Sequence, residues 1–108
     1  MRTFDSGATR DDDADKVDFA GFLSPVALEA YAQYMHRHRQ QADGTLRASN
    51  NWRRGMPMDT FVKSGWRHFF AWWKAHDEGR LDEEAVCGLL FNLFGYLDGI
   101  RRGRGTSE

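Results

Sequence analysis

The chain has 108 residues, the length of a single domain, and its formal net charge is −1. This near-neutral charge excludes a general electrostatic attraction to nucleic acid, and no apolar run is long enough to span a membrane. Hydrophobic residues make up 41% and charged residues 29% of the sequence, as in ordinary soluble domains. With no signal-peptide pattern and one cysteine, Cys87, we expect a cytoplasmic protein without an internal disulfide.

The N-terminal part of the chain changes character at about residue 18. Residues 1–17 are polar and acidic and have no hydrophobic periodicity, so we expect a disordered acidic arm. The apolar residues within 19–23 are expected to anchor the chain. Ser24-Pro25 is then typical of a helix start, because Ser caps and Pro fits the first turn. The apolar pattern predicts a first helix from about residue 25 to about 39.

Residues 41–58 are predicted to form a long connection, and loops of this length are often functional. Asn51 and Trp52 lie in it, directly before Arg53 and Arg54. A Trp ring stacks on planar ligands, while amide and guanidinium groups hold polar edges or phosphate. The alternative is an Asn-rich turn whose Trp anchors the loop onto the core, and the sequence leaves both open.

A second helix is predicted over about residues 60–77, with Asp59 as its cap. Its predicted core face consists of apolar residues at helical spacing, namely Val62, Trp66, Phe69 and Trp73. Gly65 costs helix propensity, which predicts the close approach of another backbone or a ligand. Arg67 and His68 point about 100° apart, so one is expected to face a cleft and the other solvent or a partner helix.

A third helix is predicted over about residues 83–100, with Gly79 ending the previous helix and Asp82 as cap. Its main packing stripe is expected to be the line of large residues Val86, Leu89, Leu90, Leu93, Leu97 and Ile100. A second line, Ala85, Gly88, Asn92, Gly95 and Gly99, consists of small residues that permit close helix packing. A buried Asn92 needs polar partners, and His68 is the candidate.

The start of the third helix carries grouped carboxylates at Asp82, Glu83 and Glu84. Such a group binds Mg²⁺ for phosphoryl chemistry, because Mg²⁺ favours oxygen ligands. The alternative is a capped helix start, in which Asp82 caps and the two glutamates complement the helix dipole.

Together these elements predict an all-α fold, a compact bundle of three main helices over residues 18–100. The long functional loop joins helices one and two, and residues 101–108 are expected to be a disordered basic tail. A domain this small buries a modest fraction of its surface, which favours a homo-oligomer.

Four segments of the chain resemble a known family: LSPVALEAYAQYM, DGTLRASNNWRRGMP, WRHFFAWW and DEEAVCGLLFNLFGYL. They are similar to small bacteriophage proteins related to the N-terminal part of dATP/dGTP diphosphohydrolases, over about residues 17–100. The resemblance implies a phage protein in the cytoplasm of the infected host cell. It further implies a Mg²⁺-dependent pyrophosphohydrolase-like activity on purine deoxynucleotides or another small phosphorylated ligand.

The resemblance also implies roles for individual residues. Trp52 would stack the base, and arginines would meet the phosphates; the ligand-binding set is Asn51, Trp52, Arg53, Arg54, Gly55, Arg67 and Asn92. The candidate catalytic residues are His68 and Glu83. The candidate Mg²⁺ ligands are Asp82, Glu83 and Glu84.

One departure from that family favours other functions. All-α nucleotide pyrophosphohydrolases generally hold Mg²⁺ with Glu-x-x-Glu and Glu-x-x-Asp pairs, and this chain has no such spacing. The second hypothesis is therefore a non-catalytic phage accessory protein that binds a host protein or sequesters a nucleotide. A third is an oligomeric module whose aromatic helices pack between subunits.

Overall fold

The computed structural model describes residues 2–3, 5–7, 9–10 and 15–104. Its helices are α1 (Phe19–Phe22), α2 (Pro25–Arg37), α3 (Met58–Asp77) and α4 (Glu83–Arg101). Two short strands, β1 (Arg2–Thr3) and β2 (Thr9–Arg10), pair antiparallel. The fold is thus all-α with three main helices, as predicted. Of the predicted N-terminal arm, residues 1, 4, 8 and 11–14 lie outside the described residues.

Two of the three predicted helix caps are confirmed. The Ser24 hydroxyl accepts from the Ala27 N–H at 3.1 Å, and the Asp82 carboxylate accepts from the Ala85 N–H at 2.9 Å. The prediction for Asp59 is wrong, because α3 begins at Met58 and Asp59 lies inside its first turn. There its negative charge complements the positive end of the helix dipole without a capping hydrogen bond.

The last turns of α3 and α4 close in the same way. The Arg80 N–H donates to the Ala75 carbonyl at 2.8 Å, and the Arg104 N–H donates to the Gly99 carbonyl at 2.8 Å. Gly79 and Gly103 take the left-handed conformation that this closure requires, with φ of 74° and 75°. Helix α4 and its closing turn therefore extend through Arg104, beyond the predicted start of the tail. Residues 105–108 lie outside the described residues.

The connection between α2 and α3 contains two local structures. Gln40 and Leu46 form an antiparallel bridge around a tight turn at residues 41–45, where Asp43 accepts from the Thr45 N–H at 3.0 Å. Further along, Asn51–Arg54 form a single 3₁₀ turn. The rest of the connection is irregular.

Helices α3 and α4 form an antiparallel hairpin that packs through the line of small residues on α4. Side chains of α3 enter the spaces that glycines leave on α4: Met58 lies on Gly99, Phe61 on Gly95 and His68 on Gly88. A Cβ atom on any of these glycines would overlap the α3 side chain. The one glycine of α3, Gly65, faces α4 in turn. A Cβ atom added to Gly65 would lie 3.6 Å from Asn92 Cβ. We call this line of contacts between α3 and α4 the inter-helix seam. It confirms the close packing predicted for the small residues of α4, whereas Gly65 makes only an ordinary van der Waals contact with a side chain.

The faces predicted as the core lie outside the seam. On α3, Val62, Trp66, Phe69 and Trp73 are 46%, 67%, 39% and 57% exposed. On α4, the end of the predicted stripe is also exposed, at Leu93, Leu97 and Ile100. The α3 prediction is therefore wrong, and the α4 prediction holds only in part, since Val86, Leu89 and Leu90 are half-buried. Large side chains hold helix axes apart, whereas glycines let a neighbouring helix approach.

Helix α2 packs on a different side of α4. The Tyr31 ring meets the Phe94 ring edge-on at 5.2 Å between centroids, and Tyr34 is buried. Cys87 is buried against α2, and burial raises the pKa of its thiol. The predicted anchor at residues 19–23 is wrong, since all five of these residues are exposed.

Candidate functional site

The predicted ligand-binding loop lies at the end of the hairpin where α3 begins and α4 ends. Arg104, just after α4, donates to the Arg53 carbonyl at 2.9 Å. Its guanidinium also lies against Gly55, whose φ of 75° and lack of a Cβ make this contact possible. The loop is thus held by residues that the sequence placed in a disordered tail.

The side chains of this loop are open to solvent in part. Trp52 is 36% exposed, and the Arg53 guanidinium lies 5.4 Å from its ring centroid in a cation–π contact. Arg54 is exposed, and Asn51 is half-buried. The loop therefore presents one aromatic ring with a guanidinium group next to it, and a second exposed arginine follows in the chain, a set of groups that suits a planar anionic ligand.

The predicted acidic cluster lies at the opposite end of the hairpin, and two of its carboxylates have partners. One Asp82 oxygen caps α4. Glu84 binds Arg37 Nη2 at 2.7 Å and His38 Nε2 at 3.0 Å, through its two separate oxygens. The hydrogen bond from Arg37, followed by that from His38, holds the pKa of Glu84 below its ordinary value. Glu84 therefore joins the end of α2 to the start of α4.

The predicted Mg²⁺ ligands do not fit a common ion. Asp82 is directed to its own helix and Glu84 to α2, so Asp82, Glu83 and Glu84 do not converge. Across residues 15–104 and the short described stretches before them, no three His, Cys, Asp or Glu side chains form a metal-binding group. The Mg²⁺ site remains a prediction of the family resemblance.

The predicted loop and the acidic cluster are separated by the whole length of α4. That helix has 19 residues, which corresponds to about 27 Å at 1.5 Å per residue. An antiparallel hairpin brings residues before α3 next to residues after α4, so residues 51–55 meet Arg104 and not Asp82. One site containing both groups is therefore not formed within the protomer.

The remaining predicted site residues lie in the middle of the hairpin. Arg67 is exposed, while His68 is half-buried against Gly88, which confirms that the two side chains face different surroundings. Asn92 is only 2% exposed, and its Nδ2 donates to the Gly88 carbonyl at 2.9 Å and to Ser64 Oγ at 3.2 Å. The predicted pairing of His68 with Asn92 is wrong, because Nδ2 donates to these two acceptors and Oδ1 accepts from no described residue.

The other amide atom of Asn92 is the most unusual polar group of the hairpin. Among the described residues, Asn92 Oδ1 is buried and accepts no hydrogen bond. A buried acceptor without a partner costs about 1–3 kcal/mol, and buried polar groups in native proteins are nearly always paired. The oxygen is enclosed by the hairpin itself, with less than 1 Å² of accessible surface.

Asn92 lines an apolar groove between α3 and α4 with a volume of about 250 Å³. The groove is bounded mainly by Val62, Gly65, Trp66, Phe69, Leu89 and Leu93. Trp66 and Phe69 meet edge-to-face at 5.9 Å, and Phe69 meets Trp72 in the same way at 5.5 Å, so the rings hold one another in place. Sequence reasoning missed the groove because it assigned these rings to the core.

Comparison of the chain with protein-family models, with curated proteins and with solved structures gave no match. The resemblance to phage diphosphohydrolase-like proteins therefore stays a prediction. Among the described residues, no helix has the length and apolar character needed to cross a membrane.

Proposed function

We propose that the protein works as a homodimeric helical interaction module. The contact surface would be the outer face of the hairpin, which we define as Val62, Trp66, Phe69, Trp73, Leu89, Leu93 and Tyr96. The observation that supports this most directly is the exposure of Trp66 and its neighbours on a face that carries no charged residue. Exposed apolar patches of this kind mark interaction surfaces.

The shape of the hairpin favours a second copy as the partner. Helices α3 and α4 have 20 and 19 residues, so two hairpins match along their whole length. Packing two such hairpins face to face gives a four-helix bundle, an arrangement in which each helix buries its apolar side. The same surface then serves both subunits, as a two-fold interface requires.

Sedimentation equilibrium over a range of protein concentrations tests this proposal. We expect the wild-type protein to dimerise and Phe69→Lys to be monomeric with unchanged helix content, because a charge would enter the outer face. The matched control is Phe22→Lys, since Phe22 in α1 is 80% exposed and lies off the hairpin. A monomeric wild-type protein would contradict the proposal and leave the outer face for a different protein, such as the host partner considered from the sequence.

A second candidate function is nucleotide binding at the loop of residues 51–55. Its support is the partly exposed Trp52 with the Arg53 guanidinium next to its ring and Arg54 exposed in the same loop, which Arg104 holds in place. The resemblance would make the ligands dATP and dGTP and the reaction a pyrophosphohydrolysis. The acidic residues proposed to bind Mg²⁺ for that reaction would have to meet the loop of another subunit.

Calorimetry with dATP and dGTP, with and without Mg²⁺, separates the two candidates. Nucleotide binding at the loop predicts measurable affinity that Trp52→Ala abolishes, and catalysis predicts release of pyrophosphate. Phe69→Lys serves as the control, because it changes the outer face and leaves the loop intact. The absence of affinity in the wild-type protein would remove this candidate without affecting the dimer.

A further inference from the structure

We propose that the solvent-facing side of α3 binds single-stranded DNA. The contact residues would be Lys63, Arg67, Phe70 and Lys74, which we call the α3 stripe. Proteins hold single strands by combining cations that bind the phosphates with aromatic rings on which the bases stack. The stripe is separate from the outer face and from the loop of residues 51–55, so this inference goes beyond the proposed dimer and does not depend on it.

The first observation is a separation of charge that the near-neutral chain conceals. With histidine neutral, residues 51–76 carry five basic side chains and one acidic side chain, a net charge of +4. Residues 77–100 carry one basic and six acidic side chains, a net charge of −5. All four tryptophans also lie within residues 51–76. The hairpin therefore has a basic, aromatic half, and a polyanion is attracted to this half alone.

The second observation is that the basic side chains of α3 share one side of the helix. Lys63, Arg67 and Lys74 lie within about 40° of one another around the helix axis, because their spacing is close to whole turns. All three are exposed. The centre of the outer face lies about 110° away around the same axis. A dimer formed through the outer face therefore leaves the stripe accessible.

The third observation is that two of these cations have no anionic partner. Over the part of the chain that the structure describes, neither Lys63 nor Arg67 forms an ion pair. Lys74 lies 3.7 Å from Glu78 on the exposed surface, a weak pair. Arg102, by contrast, binds a neighbouring carboxylate at 2.8 Å. Lys63 and Arg67 are thus free to bind the phosphates of a ligand.

The fourth observation is an exposed aromatic ring within the stripe. Phe70 is 56% exposed, and it follows Arg67 by three residues and precedes Lys74 by four, so its ring lies between two cations. The ring meets Trp73 edge-to-face at 5.9 Å, which restricts its orientation. Phe70 belongs to neither the seam nor the outer face. A base stacked on this ring would cover it.

These features favour a single strand over a duplex or a membrane. The bases of a duplex stack on one another and leave no face for the Phe70 ring, whereas those of a single strand are open to it. An anionic membrane binds a helix through a broad apolar face, and the stripe has one ring among three cations. Side chains of Lys, Arg and Phe have no acceptor for a ribose 2′-hydroxyl, so the stripe does not require RNA.

The length of the stripe sets the size of the site. Lys63 and Lys74 are separated by about 16 Å along the helix, which corresponds to about five nucleotides at 3.4 Å each. Asp59 and Asp77 lie just beyond its two ends and repel further phosphates. Each protomer is therefore expected to hold a short segment of a strand.

Fluorescence anisotropy with the full chain and a labelled oligothymidylate of about 12 nucleotides tests the proposal. Three phosphate contacts predict that binding weakens roughly 20-fold from about 50 to about 200 mM salt. The double variant Lys63→Gln with Arg67→Gln should bind more weakly and lose only roughly threefold over that range, since one contact remains. The matched control is Lys16→Gln with Arg101→Gln, which removes two exposed cations elsewhere and should keep the wild-type salt dependence.

A second variant tests the stacking. Phe70→Leu keeps an apolar side chain and all the cations but removes the ring, so binding should weaken about fivefold or more with unchanged salt dependence. Trp52→Ala should leave this binding unchanged, which separates the stripe from the nucleotide loop. Circular dichroism should show unchanged helix content in all variants, because every substituted side chain is exposed.

Several results would overturn the proposal. They are no binding of the oligothymidylate at low salt, equal losses in the two double variants, or no effect of Phe70→Leu. Equally tight binding of a duplex would exclude base stacking, and binding to oligouridylate alone would exclude DNA as the ligand. Binding to phosphatidylserine vesicles without binding to the oligothymidylate would assign the stripe to an anionic membrane. None of these results affects the dimer, which sedimentation tests without DNA.

Discussion

The two faces of the α3–α4 hairpin follow the same helical repeat and are used in opposite ways. The inter-helix seam is built from glycines into which Met58, Phe61 and His68 insert, with Asn92 as its one buried polar residue. The outer face carries larger and more hydrophobic residues, and five of its seven residues remain exposed. Hydrophobicity therefore did not decide which face the two helices bury against each other.

Space decided it. Each glycine of α4 provides a hole that one α3 side chain fills, so the two backbones approach closely along the whole hairpin. Large side chains on both outer faces diverge from each other and leave the groove at Trp66 and Phe69. The inter-helix seam therefore holds the two helices of one protomer together, and the outer face is left free for association with another molecule.

The largest expected effect comes from truncating a seam residue. Phe61→Ala should lower the free energy of unfolding by about 3–5 kcal/mol, because Phe61 is 4% exposed and its removal leaves a cavity. Phe70→Ala is the matched control on the same helix, where the side chain is 56% exposed; it should cost about 0.5 kcal/mol or less. Urea denaturation measures both, and equal losses would mean that the seam is not the core of the protomer.

A smaller effect is expected from filling a hole in the seam. Gly95→Ala gains about 1 kcal/mol of helix propensity, yet its Cβ would overlap the Phe61 ring, and such overpacking costs about 1–3 kcal/mol. We expect a net decrease in melting temperature. Adding Phe61→Leu should make the alanine neutral or favourable by removing the ring, and a melting temperature raised by Gly95→Ala alone would contradict the tight seam.

The smallest effect concerns α2, which joins the hairpin partly through the exposed ion pairs of Glu84. The folded-state pKa of Glu84 is lowered from 4.5, so the pairs contribute stability above pH 4.5 that is lost as the pH falls through the folded-state pKa. The contribution is small because both partners are about half exposed. Urea midpoints from about pH 3 to about pH 6 should fall less for Glu84→Gln than for the wild-type protein; identical profiles would show that the pairs do not hold α2.

Local features of the chain were predictable. Ser24-Pro25 and Asp82 start helices as expected, because capping involves only residues three apart, and Gly79 ends one because its φ is set locally. The small-residue line on α4 was recognised as a close-packing surface. The error lay in ranking it below the leucine stripe, since sequence periodicity identifies apolar faces without saying which of them meets a partner.

The candidate site was less predictable than the fold. The sequence and the family resemblance assigned the loop, His68 and the acidic cluster to one nucleotide site, because all three carry polar groups suited to a phosphorylated ligand. Their positions along the hairpin separate them, since α3 and α4 run in opposite directions. The unpaired oxygen of Asn92 could not be foreseen at all, because it depends on which donors surround one atom.

By itself, the sequence determined the all-α class, the three main helices, most of their caps and the two apolar faces of the hairpin, because these follow from contacts within a few residues. Only the tertiary structure decided which face became the seam, where Asn92 found its partners and which aromatic residues stayed exposed. Those outcomes depend on how the surfaces of two helices fit together. The Phe61 ring fills the space at Gly95, and the sequence of either helix taken alone does not show this contact.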